Sequence, residues 1–148
     1  MAIRLKNLDL EALLASIPLS EKLNALAEAP ITQTEVFILK PLLEPDSDIS
    51  AFFDKTDYEA TLNHIHISDF LEEKKDDLTY MLVQGILYAT KVHERLSSIG
   101  EGFQVVLGLD PDISDVNVRF YAVRPNEPQW ITDDLDDYTL NDIIVMDT

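Results

Sequence analysis

The chain has 148 residues, no cysteine, and 28 acidic against 11 basic side chains, a formal net charge of −17 at pH 7. The lack of cysteine excludes disulfides, thiolate metal sites and cysteine catalysis, and the length suits a single domain over residues 1–148. The acidity speaks against nucleic acid and anionic membranes as partners and for a basic protein, because opposite fields speed encounter.

No basic region followed by an apolar run marks a secretory leader at the start, and no apolar run approaches the ~20 residues that span a bilayer. The expectation is a soluble, cytoplasmic protein. Residues 1–30 read as a helical pair packed on a sheet. Leu10, Leu13, Leu14 and Ile17 share a face, and Pro18 ends the first helix. Ser20 is placed to cap a second helix that turns Leu23, Leu26 and Ala27 inward before Pro30.

Thr34–Leu39 reads as a strand, since Val36, Phe37, Ile38 and Leu39 are consecutive apolars of the kind covered on both faces. Asp46–Lys55 reads as a loop anchored by Phe52 and Phe53. Tyr58–Ile67 reads as a second strand, with Leu62, His64 and His66 on one side and Asn63, Ile65 and Ile67 on the other. The organising element follows. Over Asp77–Ser98, Leu78, Leu82, Gly85, Ala89, Val92, Leu96 and Ile99 recur at alternating spacings of 4 and 3, which is one face of a long helix. Its first half is apolar nearly all round, so it requires cover on more than one side. The same feature would suit a dimer seam between two copies. Gly100 and Gly102 end it, glycine accepting the left-handed exit.

Phe103–Leu109 and Val116–Val123 then alternate apolar and polar residues across the short Asp110–Asp115 turn, the pattern of an antiparallel hairpin. Asp133–Tyr138 reads as a helical turn, and Ile143–Met146 as a last strand. Clustered strands with flanking helices give an α+β fold: a mainly antiparallel sheet of four to five strands, with the long helix across one face.

Chemistry has few places to reside. His64 and His66, two apart on one strand face, are the candidate metal ligands, with His93 and Asp69 within imaginable reach. No third ligand sits at a fixed spacing, so no metal or other cofactor is expected. The acidic turns lack the glycine and distal glutamate of a calcium loop. There is no Gly-x-Ser-x-Gly and no glycine-rich phosphate loop, so nothing assigns a catalytic residue. The carboxylates stand out instead. Asp133, Asp134, Asp136 and Asp137 are the densest cluster, and Glu72 and Glu73 form a second one. Carboxylates fixed on a rigid element fit a cationic cleft at low ordering cost.

Val116–Val123, Arg124–Pro125, Glu127, Trp130, the Asp133–Asp134–Leu135 turn, Tyr138 and Ile143–Ile144–Val145 together resemble the ends of small acidic bacterial immunity proteins. The resemblance implies a non-enzymatic inhibitor that binds and neutralises a cognate toxin, a basic nuclease being the class that the charge suits. It carries no binding residues over, since each such protein is shaped to its own toxin. The alternatives are a DNA mimic, whose acids would trace phosphate-like rows, and a metal-binding protein or enzyme centred on His64 and His66.

Overall fold

The structure, a computed structural model, describes residues 10–131 and 142–148. The expected helical turn over Asp133–Tyr138 therefore lies outside the described residues. The elements in order are α1 (Leu10–Ser16), α2 (Glu21–Glu28), α3 (Lys55–Leu62), β1 (Ile65–His66), α4 (Leu78–Ile99), β2 (Phe103–Asp110), β3 (Asp115–Ala122) and β4 (Asp142–Asp147). Short 3-10 turns precede α3 and link β1 to α4. The four strands form one antiparallel sheet in the order β1-β3-β2-β4, so the fold is α+β.

α4 begins where Asp77 accepts a hydrogen bond from the Tyr80 main-chain N–H, satisfying a donor that the first turn cannot. Its predicted stripe is the buried one. Leu82, Gly85, Ala89, Val92 and Leu96 face the β2–β3 hairpin, where Phe103, Val105, Leu107, Val116, Val118 and Phe120 complete the main core. Met81, Leu82, Val83, Gln84 and Gly85 are all buried in its first half, and α1 and α2 pack against α4. Gln84, fully buried, makes that cover specific. Its amide donates to Pro18 O at 2.8 Å, and its Oε1 accepts from Ser20 N at 2.8 Å, which clamps the α1–α2 elbow onto α4. The helix leaves through Gly100 in an extended conformation rather than the expected left-handed one; the positive φ, 87°, is at Gly102.

Two expected strands are corrected. Lys55–Leu62 is α3, not the first half of a strand over Tyr58–Ile67. Asp54 accepts from Asp57 N, and the Glu127 carboxylate accepts from Lys55 N and Thr56 N, so three first-turn donors are met by carboxylates. Thr34–Leu39 forms no strand, because its N–H groups are taken by α3 side chains and by a local turn. Phe37 N donates to Glu59 and Leu39 N to Asn63, while Ile38 N donates to Thr32 Oγ1. The two-sided burial inferred for its apolar run holds: Ile38 packs on Tyr58 and Leu62, and Phe37 sets its ring edge-on to Phe103 at 4.9 Å. Of the expected loop anchors, Phe52 packs edge-on against Tyr58, whereas Phe53 is 83% exposed and anchors nothing.

α3 runs beside β3 beyond the point where the two-residue β1 stops, and its polar side chains meet the main chain there. Ala122 N donates to Glu59, Thr56 Oγ1 donates to Ala122 O, and Asn63 Nδ2 donates to Phe120 O. Glu59 is 0% exposed and also receives Arg124 through both oxygens, at 2.5 and 3.1 Å. On the face of the sheet away from α4, Ala60 packs with Val106 and Tyr121.

One buried group in the core lacks a partner. Tyr88 is 1% exposed, burial pushes its phenol well above the ordinary tyrosine range, and its hydroxyl has no hydrogen-bond partner among the described residues. An orphaned buried hydroxyl carries a desolvation cost of ~1–3 kcal/mol. Tyr88→Phe is therefore expected to leave stability unchanged or raise it by about 1 kcal/mol, read as an increased urea midpoint. A loss above about 1 kcal/mol would show that the hydroxyl is engaged.

Candidate functional site

A concavity lies at the start of α2, where the 3-10 turn after β1 and the approach to α4 meet it. It is a cleft of about 610 Å³ lined by Ser20, Glu21, Lys22, Phe70, Leu71, Glu72, Glu73 and Tyr80. Local chemistry builds each wall. Ser20 caps α2 by accepting from Leu23 N, and its Oγ also lies within reach of Phe70 O at 3.3 Å, so helix and turn are tied at the cleft's edge. Leu71 is buried, which seats the turn and leaves Glu72 and Glu73 directed to solvent. Tyr80, in the first turn of α4, takes the Lys74 ammonium over its ring at 4.9 Å.

A second depression, about 390 Å³, is lined by Lys22, Ala25, Leu26, Pro41, Asp69 and Phe70. The two share Lys22 and Phe70, so they lie side by side along α2 and are taken together below as the α2 groove. Its lining carries four carboxylates (Glu21, Asp69, Glu72 and Glu73) against the one ammonium of Lys22, over Phe70, Leu71, Leu26 and Tyr80. Lys22 lies 3.7 Å from Glu72, an exposed pair of little energetic weight. The groove can therefore take an apolar side chain and hold cations around it. Glu72 and Glu73 are the sequence-predicted residues that it gathers. Glu21 carried no such signal, because a lone acid in a first helical turn reads as dipole compensation, and Asp69 was read as a companion of the histidines rather than as part of an acidic face. Asp133, Asp134, Asp136 and Asp137 lie outside the described residues.

The histidines sit elsewhere, on the sheet face away from α4. His64 and His66 are side by side, with ring centroids 4.8 Å apart. His66 Nδ1 is 2.8 Å from Asp115 Oδ1, and Asn117 Nδ2 donates to the other oxygen of that carboxylate. Burial and the neighbouring Arg119 hold His64 below the usual histidine range, and its Nε2 is buried with no partner among the described residues. His93 does not join them. Its Nε2 contacts Asp147 O on β4, at the opposite edge of the sheet from β1. Asp69 belongs to the α2 groove instead. Among the described residues, no group of three or more His, Asp or Glu side chains is arranged to hold a metal ion.

Sequence reasoning missed the buried network of Glu59, Arg124 and Glu127, which fastens α3 to the end of β3. It also missed Arg119, whose guanidinium lies over the Trp130 ring at 5.4 Å. Alternation marked Arg119 only as a solvent-facing strand position.

One family model matches residues 1–148, that of the uncharacterized protein PM0498 family. The chain belongs to that family. No curated protein and no solved structure matches the chain. Among the described residues, no helix is long and apolar enough to cross a membrane.

Proposed function

We propose that this is a non-enzymatic binding protein of the cytoplasm, immunity-like, that neutralises a basic protein partner by covering part of its cationic surface. The observation that carries the proposal is the α2 groove, where Glu21, Asp69, Glu72 and Glu73 surround an apolar floor. Carboxylates gathered around an apolar floor attract a cationic segment that also presents an apolar side chain. The net charge of −17 adds long-range steering to the short-range fit. A nuclease toxin is the partner class favoured here, because its substrate-binding surface must be cationic.

Toxins and their antidotes are commonly encoded side by side, so the test begins with the basic product of a neighbouring gene. Mixed with the purified chain, it is expected to form a one-to-one complex on size exclusion and to lose its activity. The Glu72→Lys, Glu73→Lys double variant is expected to weaken that complex by at least about tenfold. Rim charges act chiefly on the association rate, and each close like-charge contact costs of order 1 kcal/mol. A complex of unchanged affinity in the double variant would remove the groove from the interface.

A further inference from the structure

The two edges of the sheet are treated differently. The hydrogen-bond phase of β4 follows from its last pair, in which Thr148 N donates to Phe103 O at 3.0 Å. In an antiparallel ladder the main-chain groups of successive residues alternate sides. The even-numbered residues of β4 thus face β2, while Ile143, Val145 and Asp147 turn their N–H and C=O groups outward. Two independent contacts fix the same phase. His93 Nε2 meets Asp147 O at 2.8 Å from the outer side. Across the sheet, Val123 N donates to Gly102 O, so even-numbered residues of β2 face β3 and odd ones face β4.

At the other edge, outward groups at three positions of β3 are met. Val118 pairs with Ile65 of β1, Phe120 O accepts from Asn63, and Ala122 is bonded by Glu59 and Thr56. On β4, by contrast, Ile143 N and O, Val145 N and O, and Asp147 N have no partner among the described residues. An edge of this kind is a template for another strand. The intervening side chains Ile143, Ile144, Val145 and Met146 are apolar yet only partly buried, and Asp142 and Asp147 bracket them.

We propose that β4 is a docking edge that receives an extended segment of the basic partner, which adds a fifth strand to the sheet. The occupant has β-branched or apolar residues at its centre and a Lys or Arg at each end, opposite Asp142 and Asp147. A second copy of this chain is the wrong occupant, because it would bring another −17 and its own Asp142 and Asp147 alongside the first pair. Main-chain pairing would supply affinity, and the terminal charges would set the register and select the partner. The charge of the occupant rests on the basic-partner reading; the pairing itself rests on the open backbone groups.

The probe is the capped hexapeptide Lys-Val-Thr-Val-Thr-Lys, added to the full chain and followed by amide exchange and NMR. Exchange at Ile143 and Val145 is expected to slow by at least about tenfold at saturation. The same peptide, N-methylated at the residues facing the edge, is expected to have no effect. Val145→Pro removes only an outward N–H, a substitution that edge strands accept, and should abolish protection. If that variant fails to fold, the N-methylated peptide carries the control without altering the protein. Unchanged exchange with the Lys peptide, or equal protection by its N-methylated form, would overturn strand docking. Shifts confined to Glu72 and Glu73 would also overturn it, while leaving a basic partner supported. Equal protection by a peptide ending in Glu instead of Lys would uphold the edge and contradict the basic partner.

Discussion

Glu59→Gln is expected to cost about 3–5 kcal/mol of folding stability, a large share of the ~5–15 kcal/mol that holds a domain together. The carboxylate is wholly buried, and four donors converge on it: Phe37 N, Ala122 N and two nitrogens of Arg124. Glutamine is nearly isosteric, so packing is kept. Its NH2 would face donors, however, and the Arg124 guanidinium, itself largely enclosed, would lose the nearer of its two carboxylates, keeping only Glu127 at 3.6 Å. Removing one partner of a buried pair leaves a charge in low dielectric, which costs far more than the intact pair contributes. The expected result is a fall in urea midpoint without a change in slope, together with faster amide exchange in α3 and residues 36–39. Replacing Arg124 by Met in the same variant should recover part of the loss, because the guanidinium is then gone and Glu127 keeps its hydrogen bonds from Lys55 N, Thr56 N and Thr56 Oγ1. A loss below about 1 kcal/mol for Glu59→Gln would mean that water already reaches the pair.

Gly85→Leu is the second large effect, expected at about 3 kcal/mol despite the better helix propensity of leucine. A Cβ built on Gly85 lies 2.8 Å from Val116 Cγ1 and 3.1 Å from Leu107 Cδ1. α4 thus rests directly on the hairpin at this point, and a long side chain would have to lift the helix from the sheet. Val116 is β-branched and cannot swing aside cheaply. Gly85→Ala sets a propensity gain of up to ~1 kcal/mol against that single tight contact. Combining it with Val116→Ala should give a positive coupling in a double-mutant cycle. A Gly85→Leu variant with the wild-type melting temperature would place the helix farther from β3 than described.

The same glycine shows what the sequence made legible. Gly85 falls on the stripe from Leu78 to Ile99, and a small residue at the centre of a buried stripe marks close approach. The hairpin was equally plain, because Phe103–Leu109 and Val116–Val123 alternate, with one face on the main core and the other carrying the polar residues beside Val106 and Tyr121. α3 was not. Thr56, Tyr58, Glu59, Ala60, Leu62 and Asn63 are all buried, so polar and apolar residues alike face inward and no apolar 3.6-residue pattern is there to read. Its inward polar residues exist to satisfy β3, and that need is visible only once β3 is beside them. The local signal that could have found it is Asp54, three residues ahead of Asp57: Asp54 accepts from Asp57 N, and Asp57 in turn accepts from Phe53 N. The missed helix also explains the false strand before it, since side chains from α3 hold Phe37 and Leu39.

The candidate site was legible in part for a related reason. Glu72 and Glu73 stand out as a run, whereas Glu21 and Asp69 join them only through folding, from the first turn of α2 and the turn after β1. Charge is additive over space and not over sequence, so runs of acids undercount a surface assembled from several elements.

In the proposed function, negative potential on the folded surface is what captures the basic partner. The most direct measurement is the association rate constant with the basic product of the neighbouring gene, followed from low to high NaCl for the wild type and for Glu72→Lys, Glu73→Lys. Exposed charges are screened over ~8 Å at physiological ionic strength. The wild-type rate should therefore fall steeply with salt, and the variant should start lower and fall less. A wild-type rate that is flat across the salt series, or identical to that of the variant, would rule out electrostatic capture through this surface.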